Sequence, residues 1–153
     1  VAYRDGLPHR SIHGLLRNSA GEFLLQQRSF SKQTWPGKWD LSLGETVRGN
    51  EEFEAALKRG LEEELGIEKP LYPTSIYAYH YHEYRYPPFK VYGVICLYMM
   101  KYDGAITLSD GEVAQTAWKK PAEITQLIVS HPELCTPWLV NDWQYFLQWQ
   151  SKP

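Results

Sequence analysis

Gly44-Glu45-Thr46-Val47-Arg48-Gly49-Asn50-Glu51, continued by Arg59-Gly60-Leu61-Glu62-Glu63-Glu64-Leu65-Gly66-Ile67, decides how the rest of the chain is read. Residues 50 to 65 carry the pattern of an amphipathic helix. Asn50 is a good N-cap, Glu51 and Glu52 suit the positive end of the helix dipole, and Gly66 stops the helix. Phe53, Leu57 and Leu61 recur every four residues as an apolar flank. Glu52, Ala56, Arg59, Gly60, Glu63 and Glu64 share the adjoining face, so two neighbouring glutamates look along one side.

Such a cluster repels itself unless a cation sits within it. Arg59 precedes Glu63 by one turn, the i,i+4 spacing at which the two side chains meet. A hard cation such as Mg2+ prefers carboxylate oxygens together with substrate phosphate oxygens, which this face would offer. The structural alternative is the solvated side of a surface helix.

Glu51, Arg59, Leu61, Glu63, Glu64, Gly66 and Ile67 fall in register with the Nudix box, G-x5-E-x7-R-E-U-x-E-E-x-G-U with U aliphatic, and the chain resembles that superfamily. The register puts Glu45 where the box has its first glycine and Gly60 where it has the glutamate after arginine. The resemblance implies the Nudix fold, an α/β/α sandwich with a mixed sheet and the Nudix loop and helix. It also implies hydrolysis of a diphosphate linked to an organic group, with Mg2+ or Mn2+ as cofactor. Glu63 and Glu64, with Glu51 nearby, are then the expected metal ligands, and Arg59 orients them. Many relatives use the glutamate replaced by Gly60 as ligand or base, and Glu45 is the carboxylate placed to substitute for it. Glu83 and Glu112 are further carboxylates that could approach the cleft, with a local structural contact as the alternative for Glu112.

Most of the length also resembles the branch that contains isopentenyl-diphosphate isomerase. The matching segments are Leu7-Pro8-His9-Arg10, Asn18-Ser19-Ala20-Gly21, Leu24-Leu25-Gln26-Gln27-Arg28-Ser29 and the run from Ser31 to Asp40. Asp110-Gly111-Glu112-Val113 leading to Trp118, and Thr136-Pro137-Trp138, complete the set. That isomerase uses a cysteine and a glutamate beside a metal held by histidines and further glutamates. Here the cysteine position is Gly44, a histidine position is Thr46, the paired glutamates fall near Val91 and Gly93, and His9 remains. Proton transfer to and from an allylic carbon cannot run on groups with no ionisable proton. Three readings follow: a Nudix pyrophosphohydrolase, a Nudix-fold binding module with little catalysis, and the isomerase.

The resemblance places the Trp35-to-Asp40 loop beside the metal site, which makes Trp35, with Trp39 and Trp118, a candidate for lining the cleft; core anchoring is the alternative. Arg10, Arg28, Lys32 and Lys38 are candidate phosphate contacts, against plain surface charge.

The chain has 153 residues, of which 43% are hydrophobic, enough for one globular domain with a real core. A formal charge of −2, with Lys and Arg scattered, offers no field for nucleic acid, so a small-molecule diphosphate is the expected partner. Two cysteines make no disulfide framework, and Cys96 sits in an apolar run. No apolar run is long enough to span a bilayer and no leader precedes the domain, which points to a cytoplasmic protein; the start at Val1 leaves a preceding targeting segment open.

Strand patterns occupy Ser11 to Arg17, Glu22 to Arg28, Ser75 to Tyr86, Lys90 to Lys101 and Gln115 to Lys119. Helices are predicted from Pro121 to Ser130 and from Pro137 to Gln150. The tract Tyr77, Tyr79, His80, Tyr81, His82, Tyr84 and Tyr86 alternates along its strand, with a stacking surface, core packing or a homodimer face as its uses. His80 and His82 resemble a metal pair but lack a third ligand in sequence.

Overall fold

Alternating apolar residues in the strands and apolar stripes on the helices build the computed structural model of the chain, which describes residues 7–108 and 111–153. Asp110 and the side chains of Tyr77 and Tyr79 lie outside the described residues. In chain order the elements are β1 (His9–Arg17), β2 (Phe23–Arg28), β3 (Trp39–Asp40), β4 (Leu43–Thr46), α1 (Phe53–Leu65), β5 (Thr74–Tyr86) and β6 (Phe89–Lys101). Then come β7 (Val113–Lys119), α2 (Pro121–Ser130), a 3-10 turn (Pro132–Leu134) and α3 (Pro137–Gln150). The five expected long strands and both late helices are present, close to their expected limits.

The sheet is mixed. Its order is β3-β2-β1-β6-β5, with β4 added on β1 and β7 on β2. β1 and β6 run parallel and the other pairs antiparallel. β1 and β2 share only the Arg17 to Phe23 position, while Ser11 to Gly14 of β1 pair instead with Leu43 to Thr46 of β4. β1 and β2 therefore diverge into a fork. β3 and β4, the arms beside it, are too short to show an alternation in sequence, and the pattern reading missed both.

Period-2 alternation sends side chains to opposite faces. Ile12, Leu16, Leu24 and Leu43 join Ala56, Leu57, Leu61 and Leu65 of α1 in one buried cluster. Leu15, Phe23, Leu25 and Leu97 join Ile124 of α2 and Leu139, Trp143 and Phe146 of α3 in the other. The molecule is thus an α/β/α sandwich, as expected.

α1 begins three residues later than expected. Its N-cap is Glu52 without a side-chain cap, not Asn50. The Glu51 N–H closes a turn onto the Arg48 carbonyl at 2.7 Å and its carboxylate accepts from the Arg48 N–H at 3.0 Å, so the chain is held in a turn before the helix. Gly66, at φ 66°, ends the helix in the left-handed conformation as expected. The expected polar face is divided: Ala56 and Gly60 are buried against the sheet, and the glutamates lie to one side. Among the described residues no helix is long and apolar enough to cross a membrane.

Candidate functional site

The fork opens into a cleft of about 360 Å³. Ser11 and His13 from β1, Gln26 and Arg28 from β2, Asp40 from β3, and Gly44, Glu45 and Thr46 from β4 line it. Glu63 and Glu64 enter from α1, Lys32 and Glu112 from loops, and Tyr84, Val91, Ile95 and Trp138 from the α3 side of the sheet.

Arg59 organises the acidic wall. Its Nε and Nη2 donate to the two oxygens of Glu51 at 3.0 and 2.8 Å, and Nη2 also reaches the Thr46 carbonyl at 2.8 Å. Nη1 lies 2.9 Å from Glu45 and 3.8 Å from Glu63. The Nη1 contact to Glu45 is close enough for an ion pair but is misaligned for a hydrogen bond. The forked guanidinium thus orients Glu45 and Glu63, as the i,i+4 spacing suggested for the latter. Glu51 has a different place from the expected one: both its oxygens face Arg59, it is absent from the cleft wall, and the Arg59 hydrogen bonds hold its pKa down at about 2.

Glu64 is poorly compensated. Its Oε2 is buried with no hydrogen-bond partner. Burial, then the charges of Glu45, Asp40 and Glu112, push its pKa up to about 8. An anionic oxygen buried without a partner is costly unless a cation meets it. Oxygen donors only, on Glu45, Glu63, Glu64 and Glu112, suit a hard divalent ion. Among the described residues no three His, Cys, Asp or Glu side chains are gathered closely enough to hold a metal alone. The protein therefore offers part of a coordination shell, of the kind that phosphate oxygens and water complete.

The other expected contacts divide by position. Lys32 pairs with Glu112 at the cleft, and Arg28 donates to the Thr34 carbonyl at 2.9 Å while its Nη1 lies 3.7 Å from Asp40. Arg10 donates to the Gly49 carbonyl and covers the Phe53 ring, and Lys38 donates to the Glu133 carbonyl; neither lines the cleft. Trp35 is buried against Tyr86 and Trp138 at 5.1 and 4.8 Å, an anchor behind the wall. Glu83 faces Arg85 and Lys90 on the β5–β6 hairpin, away from the cleft. His80 and His82 pack on Tyr145 of α3 at 4.9 and 5.9 Å, so that face of the aromatic tract is core packing.

The sequence reading missed the floor. His13 Nδ1 meets Asp142 Oδ2 of α3 at 2.5 Å, with Asp142 fully buried. Burial opposes charge on His13, but the charge and hydrogen bond of Asp142, with the charge of Asp40, outweigh it and raise the imidazole pKa. Asp40 is itself buried, accepting from Trp138 Nε1 at 2.6 Å and the Leu41 N–H at 2.7 Å. A signal was present: Asp142 interrupts the apolar stripe of Leu139, Trp143 and Phe146, where an unpaired carboxylate would be prohibitive.

At two isomerase positions the backbone is also informative. A Cβ on Gly93, which has φ 149°, would lie 1.8 Å from the His9 carbonyl oxygen, so this point of β6 cannot carry a side chain. Gly44 leaves the strand bare beside His13.

The NUDIX domain model matches residues 7–139. Isopentenyl-diphosphate Delta-isomerase 1 of Photorhabdus laumondii is 32% identical over 141 residues, covering 92% of this chain and 80% of the relative. The crystal structure of a MutT protein from Methanosarcina mazei Go1 superposes with a TM-score of 0.75 at 25% identity, over 95% of this chain and 97% of that one. An Ap4A hydrolase of C. elegans shares the fold, with a TM-score of 0.66 at 19% identity over 94% and 98% of the two chains.

Proposed function

Because this chain belongs to the NUDIX domain family, we propose that it is a metal-dependent hydrolase of a small-molecule diphosphate carrying an organic group, working in the cytoplasm. The observation that carries this reading is the partnerless buried oxygen of Glu64, set among Glu45, Glu63 and Glu112 in a cleft that Arg28 and Lys32 also line.

Glu63 and Glu64 would hold Mg2+ or Mn2+, with Glu45 and Glu112 beside them. When bound, the ion would neutralise diphosphate charge and make a coordinated water a better nucleophile. Arg28 and Lys32 would bind phosphate oxygens, and Arg59 would keep Glu45 and Glu63 aimed at the cleft. Glu45 would stand in for the glutamate missing at Gly60. A Cβ on Gly60 would sit 3.4 Å from the Glu45 Cβ, so the carboxylate of β4 stands beside the vacated helix position.

Isomerisation, the activity in the names of the curated relatives, needs a proton donor and an acceptor on either side of a double bond. Gly44, Val91 and Gly93 have no ionisable group, which supports hydrolysis over it. A binding module remains the second reading, motivated by Gly60.

The test is release of phosphate or nucleotide from nucleotide, dinucleotide and isoprenoid diphosphates with Mg2+ and with Mn2+, comparing the native chain with Glu64→Gln. Release should fall at least about a hundredfold in the variant. Hydrolysis that Glu64→Gln leaves intact would sink the proposal. Silence across the panel from a folded protein that binds Mg2+ would favour the binding module.

A further inference from the structure

Trp35 has a φ of 45°, the one positive value at a non-glycine position among the described residues. A bulky side chain strains the left-handed region, and such a backbone persists where its surroundings fix it. The Trp35 indole is buried against Tyr86 and Trp138, and Pro36 follows with its own restricted φ. The Lys38 N–H closes the loop onto the Trp35 carbonyl at 3.4 Å, and the Arg28 N–H donates to the Lys38 carbonyl at 2.8 Å.

In extended backbone successive carbonyls point to opposite sides, whereas a left-handed residue between them lets both face one point. Two successive carbonyls here converge on Arg28. Its Nε donates to the Thr34 and Trp35 carbonyls, each at 3.2 Å. Its Nη2 donates to the Thr34 carbonyl at 2.9 Å and to the Thr34 hydroxyl at 3.3 Å. The guanidinium also lies over the Trp138 ring, 5.5 Å from its centroid, so the Trp35 indole supports the ring on which Arg28 rests. The loop thereby occupies Nε and Nη2. Nη1 lies 3.7 Å from Asp40 Oδ2, and both Arg28 and Asp40 line the cleft.

We propose that Trp35 is a positioning residue for Arg28: its left-handed backbone holds the guanidinium in one orientation before any ligand arrives. This rests on the diphosphate reading for what Arg28 grips, and extends it to how the grip is set. The rotamer freedom of a long arginine is then lost on folding rather than on binding, which strengthens its contact with an anion.

The experiment is a double-mutant cycle read by calorimetric binding of methylenebisphosphonate with Mg2+ present. Trp35→Gly accepts the positive φ but removes the ring that fixes it. It should weaken binding at least about tenfold, the size of a hydrogen bond to a charged group. In an Arg28→Ala background the same change should weaken binding by less than about twofold. Equal losses in the two backgrounds would make Trp35 a structural anchor and overturn the inference, as would no loss in either.

Trp35→Gly deletes a buried indole and can fail to fold, so the native chain supplies a second measurement. Rotation about the Nε–Cζ bond merges the two Nη 15N resonances of an unrestrained arginine. With no ligand present, those of Arg28 should be separate while those of exposed Arg48 are merged. Merged Arg28 resonances overturn the inference. If methylenebisphosphonate binds to a chain in which they are merged, the diphosphate reading survives and the positioning falls. If they are separate in a chain that does not bind methylenebisphosphonate, Arg28 is positioned and the diphosphate reading falls.

Discussion

Glu64 and His13 are both ionisable groups kept from water beside one cleft, and the difference lies in their partners. His13 has Asp142 within the fold, whereas Glu64 Oε2 has none. For His13 the sign of the pH effect follows directly. Its pKa is raised by Asp142 and Asp40 against the opposing effect of burial, so the folded state holds the proton to higher pH than the unfolded chain. The stabilisation is fully present below the unfolded value of 6.5 and is lost as pH rises through the folded value. The melting-temperature gap between the native chain and His13→Gln should therefore be widest in mild acid and narrow towards alkaline pH. Calorimetry across about pH 5.5 to 9 reads this, and a gap independent of pH would contradict it. Gly93 supports a second prediction at this scale. Because a methyl there would collide with the His9 carbonyl of β1, Gly93→Ala should destabilise the chain by about 3 kcal/mol, measured by urea denaturation.

At the scale of an element, α1 shows how a glycine can be a packing device. A helix-interior glycine costs about 1 kcal/mol relative to alanine. Here it lets α1 press on β4, since a Cβ would meet Leu43 at 3.1 and 3.2 Å and the Glu45 Cβ at 3.4 Å. Restoring glutamate at position 60 alone therefore does more than add a carboxylate: it forces one into Leu43 and beside Glu45. Gly60→Glu should lose roughly 1–3 kcal/mol of stability. Glu45→Gly combined with Gly60→Glu should recover part of it, because Glu45→Gly vacates the space beside the helix. Additive effects in that double-mutant cycle would mean that the two positions do not share one site. Only part of this was legible. The helix, its glycine stop and the Arg59 to Glu63 neighbourhood follow from local spacing; the late start and the burial of Gly60 depend on the Arg48 turn and on a four-residue strand with no pattern of its own.

Across the whole molecule, one sheet carries two cores. Trp143, 2% exposed, packs against Phe23 and Phe146 on the α3 face, at 5.4 and 5.0 Å. Leu57, equally buried, fills the α1 face. The strands belong to both layers, so the layers should unfold together. Trp143→Ala should cost about 3–5 kcal/mol and Leu57→Ala about 2–5 kcal/mol. Each should shift a single calorimetric transition. Separation into two transitions in either variant would show that the layers are independent.

What the sequence by itself determined is whatever repeats at short range: the long strands, the three helices, the division of apolar residues between two faces, and the glutamates and arginine one turn apart on α1. Those features reside in spacings of two to four residues, where backbone geometry alone brings side chains together. The tertiary structure decided which charges meet. It closed Glu51 onto Arg59, left Glu64 Oε2 without a hydrogen-bond partner, removed Arg10, Lys38 and Glu83 from the cleft, and joined His13 to an aspartate 129 positions away. Such pairings are set by where β1 and β2 part and where α3 crosses the sheet, and no local periodicity encodes either.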